Sequence, residues 1–195
     1  MTRAVDITEE PIDFLAGYAR IPIAFEVRDV LDVDTPEQGL GGLVLKPSRL
    51  DVPYLKDYDA DVRYAPATWP SSFDTTSWGV LVARQGEPVG GAVVAWNSPG
   101  LDMLEGRSDL AVLWDLRVAP RMRQHGVGAA LFGAAEAWAR ARGVRTLKVE
   151  TQTINVPACR FYARQGCTLG AMHRYAYPTL PHETQLLWYK ELAAG

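Results

Sequence analysis

Leu110-Ala-Val-Leu-Trp-Asp-Leu-Arg-Val118 runs through Ala-Pro-Arg121-Met-Arg-Gln-His125 into Gly126-Val-Gly-Ala-Ala-Leu-Phe-Gly-Ala-Ala-Glu-Ala-Trp-Ala-Arg140, and Thr146-Leu-Lys-Val-Glu150 follows. The first segment is apolar at successive positions, as in a central strand covered on both faces. In the third, Val127, Ala130, Leu131, Ala134 and Trp138 form one apolar stripe at helical spacing. That helix is expected over Gly126–Arg142, with arginines near its C-terminal dipole and Gly143 as its stop. The last segment reads as a second strand. Strand, helix and strand joined this way form a right-handed parallel crossover. Pro157 suits the first turn of a further helix, running to about Gln165 and ended by Gly166.

Outward from this unit the pattern changes. Trp78–Arg84 and Val89–Trp96 flank the turn Gln85-Gly-Glu-Pro88 and read as a hairpin, as do Leu169–Tyr175 and Gln185–Leu192. Ile21–Val33 alternates loosely and reads as a first strand, and Gln38–Leu45 as a Gly-rich loop entering a short one. Pro47–Pro70, rich in Pro, Tyr and Asp, reads as loops with short helical turns. The expected fold is α/β (α+β): a mixed, largely antiparallel sheet with a central parallel strand–helix–strand crossover and helices on both faces.

The 195 residues suit a single domain, with 48% hydrophobic and 22% charged residues. A net charge of −3 argues against a general nucleic-acid binder. No apolar run reaches the ~18 residues of a spanning helix, and the acidic N-terminus lacks a secretory signal, so a cytoplasmic protein with no membrane partner is expected. Cys159 and Cys167 have neither disulfide geometry nor metal-ligand spacing; reduced thiols and no metal are expected.

The basic loop carries the chemistry. Amide groups around Gln124–Gly128 at a helix start attract an anion, with Arg121 and Arg123 offering donors and two glycines permitting close approach. The alternative is that the glycines only allow tight packing and the arginines are solvated. No Gly-Lys-Ser/Thr follows, and the G-x-G-x-x-G fingerprint is absent.

Arg123-x-x-Gly126-x-Gly128 after Val118-Ala-Pro120 resembles the acetyl-coenzyme A loop of the Gcn5-related N-acetyltransferases (GNAT). Asn155-Val-Pro-Ala158-Cys-Arg-Phe161-Tyr162-Ala-Arg-Gln-Gly166 is similar to the family's second motif. Cys167 departs from the usual Phe at a packing position. The resemblance spans about Trp78 to Leu192 and implies an acetyl-CoA-binding core over 78–192, with 1–77 a variable substrate-side region. It further implies that the backbone at Leu116, Arg117 and Val118 pairs with the pantetheine arm. Arg121, Arg123, Gln124, His125, Gly126, Val127, Gly128 and Ala129 would surround the phosphates. Asn155 and Ala158 would hold the arm, and Tyr162 would be the general acid at the sulfur. A phenol of reference pKa about 10 can protonate a nascent thiolate of about 8.5.

Read from the residues alone, Asn155 can be simply an N-cap, and Tyr162 reads as a core aromatic. Asp115, a carboxylate in an apolar strand, is either the base that deprotonates an amine or the partner of Arg117 or another cation. Glu150 is a second candidate base. His173 and His182 read as surface residues. Tyr54-Leu-Lys-Asp57-Tyr-Asp59-Ala-Asp61 combines aromatics with carboxylates, as a site for a polycationic amine would. With Leu147–Ala158 and Gln185–Lys190 it also looks like the streptothricin-acetyltransferase-like branch, implying a small-molecule amine acceptor. A protein or peptide acceptor, or a non-catalytic acyl-CoA-binding module, are the alternatives. The apolar, Trp-bearing C-terminal hairpin suggests a homodimer paired across a two-fold.

Overall fold

The computed structural model describes residues 5–192. In chain order its elements are β1 (Asp6–Glu10), α1 (Leu15–Tyr18), β2 (Phe25–Asp34), β3 (Val44–Lys56), α2 (Trp69–Ser72), β4 (Gly79–Gln85), β5 (Glu87–Ala95), β6 (Leu110–Val118), α3 (Val127–Arg140), β7 (Thr146–Gln152), α4 (Val156–Arg164), β8 (Thr168–His173) and β9 (Gln185–Glu191). Contacts gather them into two compact units. One holds the segment ending at Ala24, Asp57–Val149 and the segment from Lys190; the other holds Phe25–Lys56 and Glu150–Tyr189. No helix among the described residues is long and apolar enough to cross a membrane.

In the first unit the strand order is β1-β4-β5-β6-β7. The pairs β1/β4, β4/β5 and β5/β6 are antiparallel, while β6/β7 is parallel, from Leu110↔Thr146 to Leu113↔Val149. The expected crossover is therefore present, with α3 as its helix. Helices cover both faces of β5, and two neighbouring glycines show how. A Cβ on Gly90 would meet Leu131 and Val127 of α3, whereas one on Gly91 would lie 2.3 Å from the ring of Tyr18 in α1. Successive strand residues face opposite sides, so each glycine admits one layer. On the α1 side Tyr18, Leu15, Trp69, Trp78, Val82 and Val93 form the core. Each fully buried apolar side chain there contributes roughly 1.5–3 kcal/mol.

In the second unit β2 and β3 form a two-stranded sheet, Phe25↔Lys56 through Asp34↔Val44. Where loops were expected from Pro47, β3 is a 13-residue strand. Pro47 and Pro53 lack a donor, but a two-stranded sheet leaves each strand a free edge where none is needed. β8 and β9 form the expected hairpin, Thr168↔Tyr189 through His173↔Gln185. Its Trp188, expected at a dimer surface, is buried, and its indole N–H donates to Thr151 Oγ1 at 2.8 Å. That side chain serves the unit's own interior.

Candidate active site

The first unit's candidate site begins with an irregularity in β6. Against β5 the register runs Gly91↔Arg117, Ala92↔Leu116, Val93↔Asp115, then skips to Val94↔Leu113. Trp114 is the extra residue of a β-bulge. The bulge places Trp114 and Asp115 on one face: Trp114 packs against Trp69, Phe73 and Trp78, and Asp115 accepts a hydrogen bond from Tyr18 of the same core side. Pairing with β7 also stops at Leu113↔Val149, so among the described residues no partner is paired with Trp114–Val118 on the edge away from β5. The amide of Ala119 donates to Val89 of β5. By strand alternation, the N–H groups of Leu116 and Val118 point to the open edge.

The chain leaves that edge through a 3-10 turn at Pro120–Met122 and enters α3. Gln124 (φ 64°) and Gly126 (φ 83°) both take left-handed conformations, reversing the chain sharply. Gly126 is the N-cap and supplies no side-chain cap, so the amides of Val127, Gly128 and Ala129 begin a 14-residue helix without one. Nothing lies within 4 Å of where a Cβ on Gly126 would stand. Val127 is buried under the turn, while Gln124, His125 and Ala129 are exposed and Gly128 half-buried. Arg121 is exposed, with no hydrogen bond or ion pair among the described residues. His125 bonds back to the Arg123 carbonyl through Nδ1 at 2.7 Å.

Arg123 departs from expectation. Its Nε donates to the Val118 carbonyl at 2.9 Å and its Nη2 to the carbonyls of Ala24 at 2.9 Å and Ile23 at 3.4 Å. The guanidinium braces the loop instead of offering this fork to an anion. Burial pushes its pKa below the ordinary guanidinium value.

Of the two readings of Asp115, the paired one is present. Its Oδ1 accepts from Arg117 Nε at 2.9 Å and from Tyr18 Oη at 2.5 Å, and its Oδ2 accepts from Arg117 Nη2 at 2.7 Å. To act as a base, this carboxylate would have to surrender a charge-assisted bond. Burial and the Asp115 charge together raise the Tyr18 pKa well above its ordinary value, so the phenol stays a donor. Arg117 also reaches Asp59, from Nη1 at 2.6 Å and Nη2 at 3.2 Å. Burial disfavours its charge, but bonding to Asp115, Asp115's charge and Asp59 outweigh this and raise the Arg117 pKa.

That pairing also corrects the acidic segment. Asp59 faces Arg117, Asp57 accepts the Asp59 amide at 3.0 Å, and Asp61 is held down to about 2 by hydrogen bonds from Arg63. The carboxylates expected to meet a cationic acceptor are engaged locally. Nothing in the sequence paired Tyr18 with Asp115, although the Gly90-Gly91 pair inside an apolar strand does signal close approach from both faces.

In the second unit Asn155 caps α4: its Oδ1 accepts the Ala158 amide at 3.2 Å. Tyr162 is buried on that helix, its ring 5.1 Å from Phe161 in an edge-on arrangement. Glu150, the residue after the last β7 position paired with β6, accepts from Tyr177 Oη at 2.5 Å, Gln152 Nε2 at 3.2 Å and Gln185 Nε2 at 2.7 Å. Cys159 is buried with its sulfur 3.4 Å from Thr151 Oγ1, and burial pushes its thiol pKa up. Neither it nor Cys167 is in a disulfide.

The model of the acetyltransferase (GNAT) family matches residues 48–167. The chain is 34% identical over 170 residues to a streptothricin acetyltransferase from Escherichia coli, covering 85% of this chain and 84% of that protein. Among solved structures it is similar to a nourseothricin acetyltransferase, with TM-score 0.77, 24% identity, and coverage of 98% of this chain and 100% of the other. A putative streptothricin acetyltransferase from Bacillus anthracis str. Ames, solved with acetyl coenzyme A, matches with TM-score 0.73 and 22% identity over 96% of this chain and 99% of the other. A family match over more than half the chain, with a relative this similar along most of its length, decides the matter: the chain belongs to the acetyltransferase (GNAT) family.

Proposed function

We propose that this acetyltransferase moves an acetyl group from acetyl-CoA to a primary amine of a small cationic molecule of the streptothricin type. One observation carries the coenzyme half: the uncapped start of α3 follows directly from the unpaired edge of β6. The residues fit the coenzyme's chemistry. Open space over Gly126, amides at a helix start and the exposed Arg121 suit a pyrophosphate. The N–H groups along the β6 edge suit an amide-bearing arm and a thioester carbonyl. The acceptor half rests on the 34% identity to a streptothricin acetyltransferase.

When bound, acetyl-CoA supplies a thioester open to amine attack. The chain's part is to polarise that carbonyl through an N–H of Leu116 or Val118, as an oxyanion hole does. Tyr162 is assigned the proton given to the sulfur, and Asn155 the holding of the coenzyme arm. With Asp115 bound to Arg117, Glu150 is the remaining candidate to take the amine's proton, directly or through water. A homodimer in the cytoplasm belongs to the same reading.

The test incubates purified protein and acetyl-CoA with streptothricin-type compounds, polyamines and amino acids, and scores acetylated products by mass. A mono-acetylated streptothricin-type product is expected. Silence across that panel, with acetylation of peptides instead, would replace the acceptor. Tyr162→Phe should reduce turnover more than it weakens coenzyme binding; unchanged turnover removes Tyr162 from the mechanism.

A further inference from the structure

Arg117 is a buried cation that the proposed chemistry does not use. Its side chain is 1% exposed. A guanidinium has five N–H donors, and here it makes five hydrogen bonds: two to Asp115, two to Asp59 and one, at 3.2 Å, to the Ile21 carbonyl. Its plane also lies 4.9 Å from the centre of the Tyr18 ring. Tyr18 in turn reaches Asp115 only because Gly91, directly across from Arg117, leaves room for the ring.

Such a cluster is a poor way to stabilise a fold. Buried ion pairs are often matched or bettered by apolar residues of similar volume, because desolvation offsets their attraction. Two carboxylates, one guanidinium and a neutral phenol leave the cluster with one uncompensated negative charge. Its location suggests another role. Asp115 and Arg117 lie immediately after the Trp114 bulge, on the stretch of β6 that has lost β7. A strand bulged on one edge and unpaired on the other has little to fix its path, and bulges of this kind re-aim groups beside active sites. Through Ile21 and Asp59, Arg117 ties this stretch to two segments distant in sequence. Arg123 ties the end of the same strand to Ile23 and Ala24.

We infer that Arg117, clamped by Asp115 and Asp59 over the Tyr18 ring, is a positioning residue for acetyl transfer: it holds the bulged stretch of β6 so that the N–H groups of Leu116 and Val118 stay aimed at the thioester. The inference rests on the reading of that edge as the thioester's site. The clamp touches neither coenzyme nor acceptor and acts through the backbone it fixes.

The test uses the full chain with Arg117→Met, Arg117→Lys and Asp59→Asn, and counts coenzyme sites by calorimetry so that turnover is expressed per folded, coenzyme-binding molecule. Arg117→Met should lower kcat by roughly 10–100-fold, with KM for acetyl-CoA within about threefold, because a misplacement near 1 Å costs on that order. Arg117→Lys keeps the charge but not the fork, and should recover less than about a tenth of the lost rate. Asp59→Asn, at a side chain 22% exposed, keeps Arg117 paired with Asp115 and covers the case in which Arg117 variants do not fold. It should lower kcat by about 3–10-fold on the same reasoning.

A second readout needs no acceptor. Amide exchange at Asp115 and Arg117, whose N–H groups face β5, should quicken about tenfold in a folded variant while Val112 is unchanged, a local opening. Wild-type kcat per site in Asp59→Asn or folded Arg117→Met, or unchanged exchange at Asp115 and Arg117, overturns the inference. If the wild type acetylates none of the amines, the acceptor reading fails and the exchange measurement alone decides the clamp.

Discussion

Gly91→Ala is the sharpest small perturbation available in the first unit. A Cβ there stands 2.3 Å from Tyr18 Cε2, 2.9 Å from Cδ2 and 3.1 Å from the Leu81 carbonyl oxygen. Non-bonded carbons prefer about 3.5–4.0 Å, so the ring would have to retreat by roughly 1.2 Å or more. Tyr18 is fully buried, and its hydroxyl is held 2.5 Å from Asp115 Oδ1. Such a retreat breaks that bond unless β5 itself moves. Overpacking a well-filled core costs about 1–3 kcal/mol. Losing a hydrogen bond to a charged group adds about 1.5–3 kcal/mol. Alanine's stiffer unfolded chain returns roughly 0.5 kcal/mol. The net expectation is a loss of about 2–5 kcal/mol. Urea unfolding followed by tryptophan fluorescence, in a double-mutant cycle with Tyr18→Ala, measures it. In the Tyr18→Ala background the colliding ring is gone, so Gly91→Ala should cost less than about 0.5 kcal/mol. A single-mutant loss below ~0.5 kcal/mol, or the same loss in both backgrounds, refutes the packing argument.

Three other expectations follow from the same geometry. Cys159 and Cys167 are buried and burial holds the Cys159 thiol above its ordinary pKa, so neither should react with a thiol reagent at neutral pH until denaturant is added, when two thiols per chain appear. Rapid native labelling would contradict this burial. Gly126→Ala meets open space but keeps φ 83°, so its cost is conformational, about 1–2 kcal/mol by thermal unfolding; no loss would mean that the turn relaxes freely. Because Tyr18's folded pKa is raised, its contribution to stability is fully present below about pH 10, the unfolded value, and is lost as pH rises toward the folded one. Wild-type stability should therefore fall above pH 10 more steeply than that of Tyr18→Phe, and parallel pH curves would refute this.

The crossover was legible because β6, α3 and β7 are each long enough for periodicity to speak. β1 and α1 were not: five residues reading Asp-Ile-Thr-Glu-Glu and a four-residue helix are too short to show a period. β3 was hidden by its prolines. The bulge left no trace because β6 is apolar on both faces before Trp114, so there was no alternation to interrupt. In the candidate site, the Asn155 cap could be read from Asn-x-Pro, and the open helix start from the glycines. The partners of Arg117 could not, since Asp59 lies 58 positions away and Ile21 contributes only a carbonyl. Sequence pattern assigns a side chain to a face; it does not say what meets it there.

β6 in effect carries two reading frames. Up to Leu113 one parity of positions faces α1, and from Asp115 onward the other does, with Trp114 as the inserted letter between them. Deleting Trp114 would therefore restore a regular strand and leave everything downstream in place, because the ladder already passes from Val94↔Leu113 to Val93↔Asp115 without it. Asp115 and Arg117 would still face Tyr18, and Leu116 and Val118 would still face the other side. Their amides would keep their edges as well. The inserted letter can thus be struck without changing the words after it, and what is lost is its own ring from among Trp69, Phe73 and Trp78.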